Sequence, residues 1–164
     1  MTIRHAKDTR KDCELVFSLS NDPIVRAVSF NQNRIEYDSH CRWYERTVKD
    51  KDTLFFLVFA DECEDDFVGQ LRFKRESEQS DECVISLSIT EEFRGKHLAP
   101  QFLALGIQEL QKNWTDIRFV TAEVKGENSA SNALFSRKGF ELVSTINCYK
   151  LILNSVCGGG TPIG

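Results

Sequence analysis

Residues 84–112 constrain this chain more than any other stretch. Val84-Ile85-Ser86-Leu87-Ser88-Ile89-Thr90 alternates apolar and small polar residues, the pattern of a strand. Two acids follow, Glu91 and Glu92, and then a short basic turn with a glycine, Phe93-Arg94-Gly95-Lys96-His97-Leu98-Ala99. From about His97 to Lys112, Leu98, Phe102, Leu105, Ile107 and Leu110, with Ala104, recur at helical spacing. Strand, basic turn and helix in that order set the free amides of a helix N-terminus beside positive side chains. An anionic phosphate is the ligand such a place suits.

The rest of the chain has to supply that anion site with a scaffold. At 164 residues one domain with a real core is expected. A net charge of −4 gives no general field for nucleic acid or an anionic membrane, so an anion must be caught locally. No apolar run approaches the roughly 20 residues that span a bilayer. The first residues, Met1-Thr2-Ile3-Arg4-His5-Ala6-Lys7, lack an apolar signal core, and a cytoplasmic protein is expected. The six cysteines form no C-x-x-C pair and suit neither zinc nor a disulfide scaffold, so reduced thiols and no metal are expected. Cys41 adjoins His40, but neighbours on a helix point in different directions, and no activated nucleophile follows from the pair.

Thr2–Ala6 reads as a strand and Thr9–Leu19 as a helix with Cys13, Leu15, Val16 and Phe17 on its apolar side. Asn21-Asp22-Pro23 closes it, and the polar Asn31-Gln32-Asn33 reads as loop. Asp38-Ser39 is expected to cap a helix carrying Trp43, Tyr44 and Val48. Thr53–Ala60 and Phe67–Phe73 form a hairpin across an acidic turn, residues 61–66, read as solvated rather than cation-binding. Ile117–Val124 is a further strand. A last helix starts at Glu127 or Asn128, faces Ala130, Ala133 and Leu134 inward, and ends at Gly139. Phe140–Ser144 and Asn147–Leu153 form the final hairpin, and Asn154–Gly164 reads as a tail. The order β-α-α-β-β-β-α-β-α-β-β predicts one α/β domain over residues 1–153, a mixed sheet with helices on both faces.

With these elements in place the chain resembles the GCN5-related N-acetyltransferase (GNAT) superfamily over most of residues 1–153. The signature is Arg94-x-x-His97-x-Ala99 followed by Asn128-x-x-x-x-x-x-Phe135-x-x-x-Gly139-Phe140. The resemblance implies acetyl-CoA as co-substrate. It implies that Arg94, Gly95, Lys96, His97, Leu98 and Ala99 bind the pyrophosphate, and that Ser88, Ile89 and Thr90 line the thioester where two parallel strands splay. It implies that Asn128 contacts the cofactor arm, with Ser131 and Phe135 on the same helix. Two positions depart from the pattern. His97 stands where a glycine is usual, with Pro100 following, and Phe135 stands where many members carry a tyrosine as general acid. Expelling a thiolate near pH 7 costs only roughly 2 kcal/mol, whereas deprotonating an alkylammonium costs roughly 4, so the base matters more than the missing acid. Glu91, Glu92 and His40 are the candidate bases; Tyr149 is a substitute acid.

A narrower similarity covers the N-terminal third. Asn21-Asp22, Arg26, Ser29-Phe30, Ile35, His40 and Trp43 resemble acetyltransferases acting on the 4-amino group of a nucleotide-linked amino sugar, as in the pseudaminic acid pathway. That resemblance implies phosphate contact by Arg26 and ring stacking by Phe30, Trp43 or Tyr44. The expected activity is direct acetyl transfer to a primary amine in a ternary complex, by a monomer or homodimer, with no nucleic acid or membrane partner. A peptide or ribosomal-protein N-terminus is the alternative acceptor, and a non-catalytic acyl-CoA-binding module the alternative class.

Overall fold

A computed structural model describes residues 1–144 and 148–153; the expected tail lies outside the described residues. The strands are β1 (Thr2–His5), β2 (Thr53–Phe59), β3 (Phe67–Lys74), β4 (Glu82–Ile89), β5 (Phe119–Glu123), β6 (Glu141–Ser144) and β7 (Cys148–Ile152). The helices are α1 (Arg10–Ser20), α2 (Pro23–Val28), α3 (Tyr37–Lys49), α4 (Ala99–Asn113) and α5 (Ser129–Arg137). One seven-stranded sheet runs β1-β2-β3-β4-β5-β7-β6, antiparallel except where β4 meets β5. The expected order holds with one addition, the short helix α2. Asp22 caps it, its carboxylate accepting from the amides of Ile24 and Val25, and Pro23 opens it with φ already helical.

Every residue of β2 is buried, which explains its unbroken apolar run: both faces of the sheet are covered. Phe55, Leu57 and Phe59 pack with Val16 of α1 and Tyr44 of α3. Phe56 and Val58 point the other way, into the main core with Leu71, Phe73, Phe102, Leu110 and Phe135. Three details differ from the sequence reading. Helix α3 is entered at Glu36 with no side-chain cap, and Asp38 sits inside its first turn. The buried residues of α4 are Phe102, Leu103, Gly106 and Leu110, while Ala104 is exposed, because the i, i+1, i+4, i+8 set faces the sheet. In α5, Ala130 and Ala133 are exposed and Leu134 and Phe135 are buried; two small side chains were outweighed by two large ones one position on.

A charged group anchors α1. Asp12 is 1% exposed and accepts both terminal nitrogens of Arg4, at 2.7 and 2.9 Å, and the amide of Lys7 at 2.8 Å. Burial pushes its carboxyl up, but those three donors more than offset it and hold the group below its ordinary value. A depressed carboxylate stabilises the fold above its unfolded value near 3.9 and stops doing so as pH falls through the folded one. Asp12→Asn is therefore expected to cost about 3 kcal/mol at pH 7, a melting drop of about 6–12 °C, with the difference from the native protein shrinking below about pH 4. Thermal melts of both proteins between pH 3 and 7 check this; a difference that stays constant to pH 3 is the contrary result.

Candidate active site

The sheet opens in its middle. Strands β4 and β5 pair in parallel only over Glu82–Val84 and Phe119–Thr121, although β4 runs on to Ile89. Ile85–Ile89 thus have a partner in β3 and none on the β5 side. The amide of Thr90 donates to Val68 O at 2.9 Å across to β3. Because antiparallel pairs alternate, the groups of Ser88 also turn toward β3, and the N–H of Ile89 turns into the opening. Of Ser88, Ile89 and Thr90, Ile89 therefore offers the free amide, and Thr90 is spent through both its N–H and its hydroxyl, which donates to Phe67 O at 3.2 Å.

At the end of β4 the chain makes one 3-10 turn, Glu91–Phe93, and then the basic link. Gly95 and His97 both take the left-handed conformation, with φ of +69° and +57°. His97 thus adopts the backbone a glycine would adopt there, at a cost of about 1 kcal/mol. Two left-handed residues curl the link so that the amides of Gly95, Lys96, His97, Leu98 and Ala99 find no acceptor among the described residues. Pro100 stands at the start of α4, where a helix has no use for its N–H. This is a nest of amides at a helix N-terminus, beside the mouth of the split sheet. Lys96 is exposed, its ammonium 5.0 Å from the Phe93 ring centre, and Glu91 and Glu92 are exposed on the turn before it.

Arg94 does something the sequence did not suggest. Its Nε donates to Ile89 O at 2.9 Å, and a terminal nitrogen lies 3.0 Å from the carboxylate of Asp22, the cap of α2. The guanidinium ties the end of β4 to the wall built by α1 and α2 rather than reaching into the nest. Burial pushes the Asp22 carboxyl up, yet Arg94 and two amides hold it below its usual range.

Two expected acceptor or catalytic residues, His40 and Arg26, are engaged by the scaffold. His40 is 2% exposed, its Nε2 3.0 Å from Cys13 O, packed among Phe17, Trp43 and Tyr44. Burial pushes its imidazole below the ordinary value, and its contact with Cys13 O holds α3 against α1. Arg26 donates to the carbonyls of Ser20, Asn31 and Asn33 and to Ser29 Oγ, spending its guanidinium on the loop after α2. Trp43 carries a cation: the Arg72 guanidinium lies 5.0 Å over its ring. Phe30 is 63% exposed, a surface aromatic that this loop presents.

On the other side of the split, Asn128 caps α5, its side chain accepting from the amide of Ser131 at 3.2 Å. Phe135 is 3% exposed, edge-on to Phe140 and stacked near Tyr149. Tyr149 donates its hydroxyl proton to Asn132 Oδ1 at 2.7 Å, and Asn132 in turn donates to Lys125 O and Asn128 O. Burial pushes the thiols of both Cys13 and Cys83 up to about 12, away from the reactive thiolate.

The acetyltransferase (GNAT) domain model matches residues 1–141 of the chain. The chain belongs to the GNAT acetyltransferase family. Solved structures agree on the fold. A spermidine N-acetyltransferase from Vibrio cholerae, in complex with CoA and spermine, superposes with a TM-score of 0.79 at 16% identity, over 92% of this chain and 94% of that one. A ribosomal-protein-alanine N-acetyltransferase from Brucella melitensis gives 0.72 at 20%, over 93% and 100%. An N-acetyltransferase from Staphylococcus aureus Mu50 gives 0.73 at 21%, over 93% and 98%. A search of curated proteins finds no match. As a GNAT member the protein is an acetyl-CoA-dependent N-acetyltransferase.

Two residues important to this site carried no signal in the sequence. A Cβ on Gly69 of β3 would lie 2.1 Å from Ser88 O, so glycine is what lets β3 and β4 close up at the strand end that frees Ile89. The other is Arg72, whose burial on the face of α3 only the fold reveals. Among the described residues no group of three or more His, Cys, Asp or Glu side chains is placed to hold a metal ion.

Proposed function

We propose that this protein acetylates a primary amine on a small molecule, by direct attack in a ternary complex, with the amine arriving on the side of the sheet covered by α1–α3. One observation carries this reading: the unpaired edge of β4 leads straight into a turn with five unspent amides. Those amides suit a diphosphate, because they are unspent at a helix N-terminus and Lys96 adds an exposed positive charge. Asn128 and Ser131 border the cofactor arm from α5.

When bound, acetyl-CoA supplies an acetyl group activated as a thioester. The N–H of Ile89 faces the opening where charge would develop on a carbonyl oxygen, and a donor fixed in that position stabilises it without reorganisation. Glu91 and Glu92, the carboxylates that follow β4, take the amine proton through water. Phe135 cannot donate a proton, and Tyr149 has its own directed at Asn132, so the departing thiolate is protonated by solvent.

The finer reading of the acceptor is the 4-amino group of a nucleotide-linked deoxyamino sugar, in the cytoplasm, made by a single domain over residues 1–153. It rests on the N-terminal similarity, and with Arg26 and His40 occupied elsewhere its remaining support is the aromatic Trp43 and the cation above it. The test is release of free thiol from acetyl-CoA across a panel of amines: a nucleotide-linked 4-amino sugar, spermidine, an alanine-terminated peptide and an aminoglycoside. The sugar nucleotide is expected to give the highest kcat/KM. Preference for the peptide would replace the small-molecule reading, and binding of acetyl-CoA without thiol release from any amine would replace turnover by a binding role.

A further inference from the structure

Strand β3 presents Gln70, Arg72 and Lys74 at alternate positions on the face covered by α1 and α3. The neighbouring cations on β3 and just after it have carboxylates. Lys74 pairs with Asp50, and Arg75 with Asp52 at 3.1 Å. Arg72 has none: among the described residues no carboxylate lies within ion-pair distance, and no acceptor takes any of its N–H groups. Its guanidinium lies instead over two aromatic rings, 5.0 Å from the centre of Trp43 and 5.9 Å from that of Phe55. Burial depresses its pKa with nothing to offset the cost.

A half-buried guanidinium with five unused donors sits in an opening, not in packed core. Trp43, Thr47, Asp50, Arg72, Lys74 and Ser86 line a cleft of about 350 Å³ between α3 and the sheet, in which the Asp50 carboxylate is neutralised by Lys74 and Arg72 remains the unpaired charge. Ser86, the cross-strand partner of Arg72, is exposed. Ile89, whose amide marks the acetyl site, is three residues further along the same strand, on the order of 10 Å away. With its carbon 5.0 and 5.9 Å from two aromatic ring centres and no acceptor on its N–H groups, the guanidinium is suited to receive a carboxylate or phosphate bidentately.

We propose that Arg72 binds an anionic group, carboxylate or phosphate, of the acetyl acceptor, on the order of 10 Å from the amine that is acetylated. The inference rests on the reading of the α1–α3 side as the acceptor side and names the class of acceptor: an amine that also carries negative charge. A polyamine falls outside that class, because the unpaired Arg72 would repel it. The site replaces Arg26 as the phosphate partner of a sugar nucleotide.

The test uses the full chain with saturating acetyl-CoA and three acceptors of one length: hexylamine, 6-aminohexanoate and 6-aminohexyl phosphate, with spermidine as the cationic comparison. At least one anionic acceptor is expected to exceed hexylamine about tenfold in kcat/KM, through KM, and whichever is better names carboxylate or phosphate as the group recognised. Arg72→Gln should remove that advantage and leave hexylamine within about twofold; Arg72→Lys should keep part of it. Equal loss on all acceptors, or spermidine as the best substrate, overturns the proposal. A second readout does not need turnover. Trp43 lies under the guanidinium, so inorganic phosphate added to the CoA-saturated protein should change tryptophan emission, and Arg72→Gln should abolish the change. No response in the native protein, or one that survives in Arg72→Gln, overturns the site. A response lost in the variant, but with no acceptor acetylated, keeps the anion site and removes the acceptor reading on which it was placed.

Discussion

Gly69→Ala is expected to lower kcat for thiol release by about a hundredfold and to destabilise the fold by about 2–3 kcal/mol. The added methyl would sit 2.1 Å from the carbonyl oxygen of Ser88 and 3.1 Å from Cα of Ile89. Both are backbone atoms, so relief requires β3 and β4 to part where Thr90 N–H bonds Val68 O. Overpacking of this kind costs typically 1–3 kcal/mol. The kinetic loss is larger because the strand that moves carries the Ile89 amide, and a displacement of about 1 Å at a reacting centre is worth on the order of a hundredfold. Gly106→Ala separates the two effects. Its methyl would meet only the end of the Leu71 side chain, at 2.8 Å, on the far face of the sheet. It should lower the melting temperature and leave kcat within about threefold. Steady-state kinetics and thermal melts of both variants decide the matter; native kcat in Gly69→Ala would mean that the Ile89 amide does not sit at the reacting carbonyl.

How far these features were readable in the chain depended on the range of the interaction. Strands and long helices announce themselves through periodicity, and β2, β3, β4 and α4 lie within a residue or two of where their patterns put them. Helix α2 escaped because six residues are too few for a period, although Asp22-Pro23 is a capping signal that could have found it. The basic turn was legible as a turn, and its use of Gly95 was visible. That His97 would take a left-handed backbone was not, since histidine has no such preference strong enough to read. Side-chain surroundings were the least legible. Arg26, Arg94 and His40 are chemically suited to phosphates or protons, but each found a nearby carbonyl or carboxylate first. A residue type states what a side chain can do, and only its neighbours decide whether it is free to do it. Arg72 is the converse case: an unremarked strand cation in the sequence, left without a carboxylate by the fold.

Reversing the charge of the amide nest is the other change expected to act strongly. The double variant Gly95→Asp, Lys96→Glu should raise the dissociation constant of acetyl-CoA about a hundredfold. Gly95 has φ of +69° and no atom within 4 Å of a built Cβ, so an aspartate has room and is among the residues that tolerate this backbone. Fold stability should therefore change by no more than about 1 kcal/mol. The effect is electrostatic: two carboxylates about 5 Å from a diphosphate, at an effective dielectric near 20 and with solvent screening, cost roughly 3 kcal/mol, or about two decades in affinity. Gly95→Asn, Lys96→Gln keeps the shapes and removes only the lysine charge, so it should weaken binding no more than about tenfold. The gap between the two variants should narrow in 1 M salt, where the screening length falls to about 3 Å. Calorimetric titration at low and high salt measures all of this. If the charge-reversed protein binds acetyl-CoA as the native one does, the diphosphate is held somewhere other than the turn after β4, and the unspent amides of residues 95–99 need another ligand.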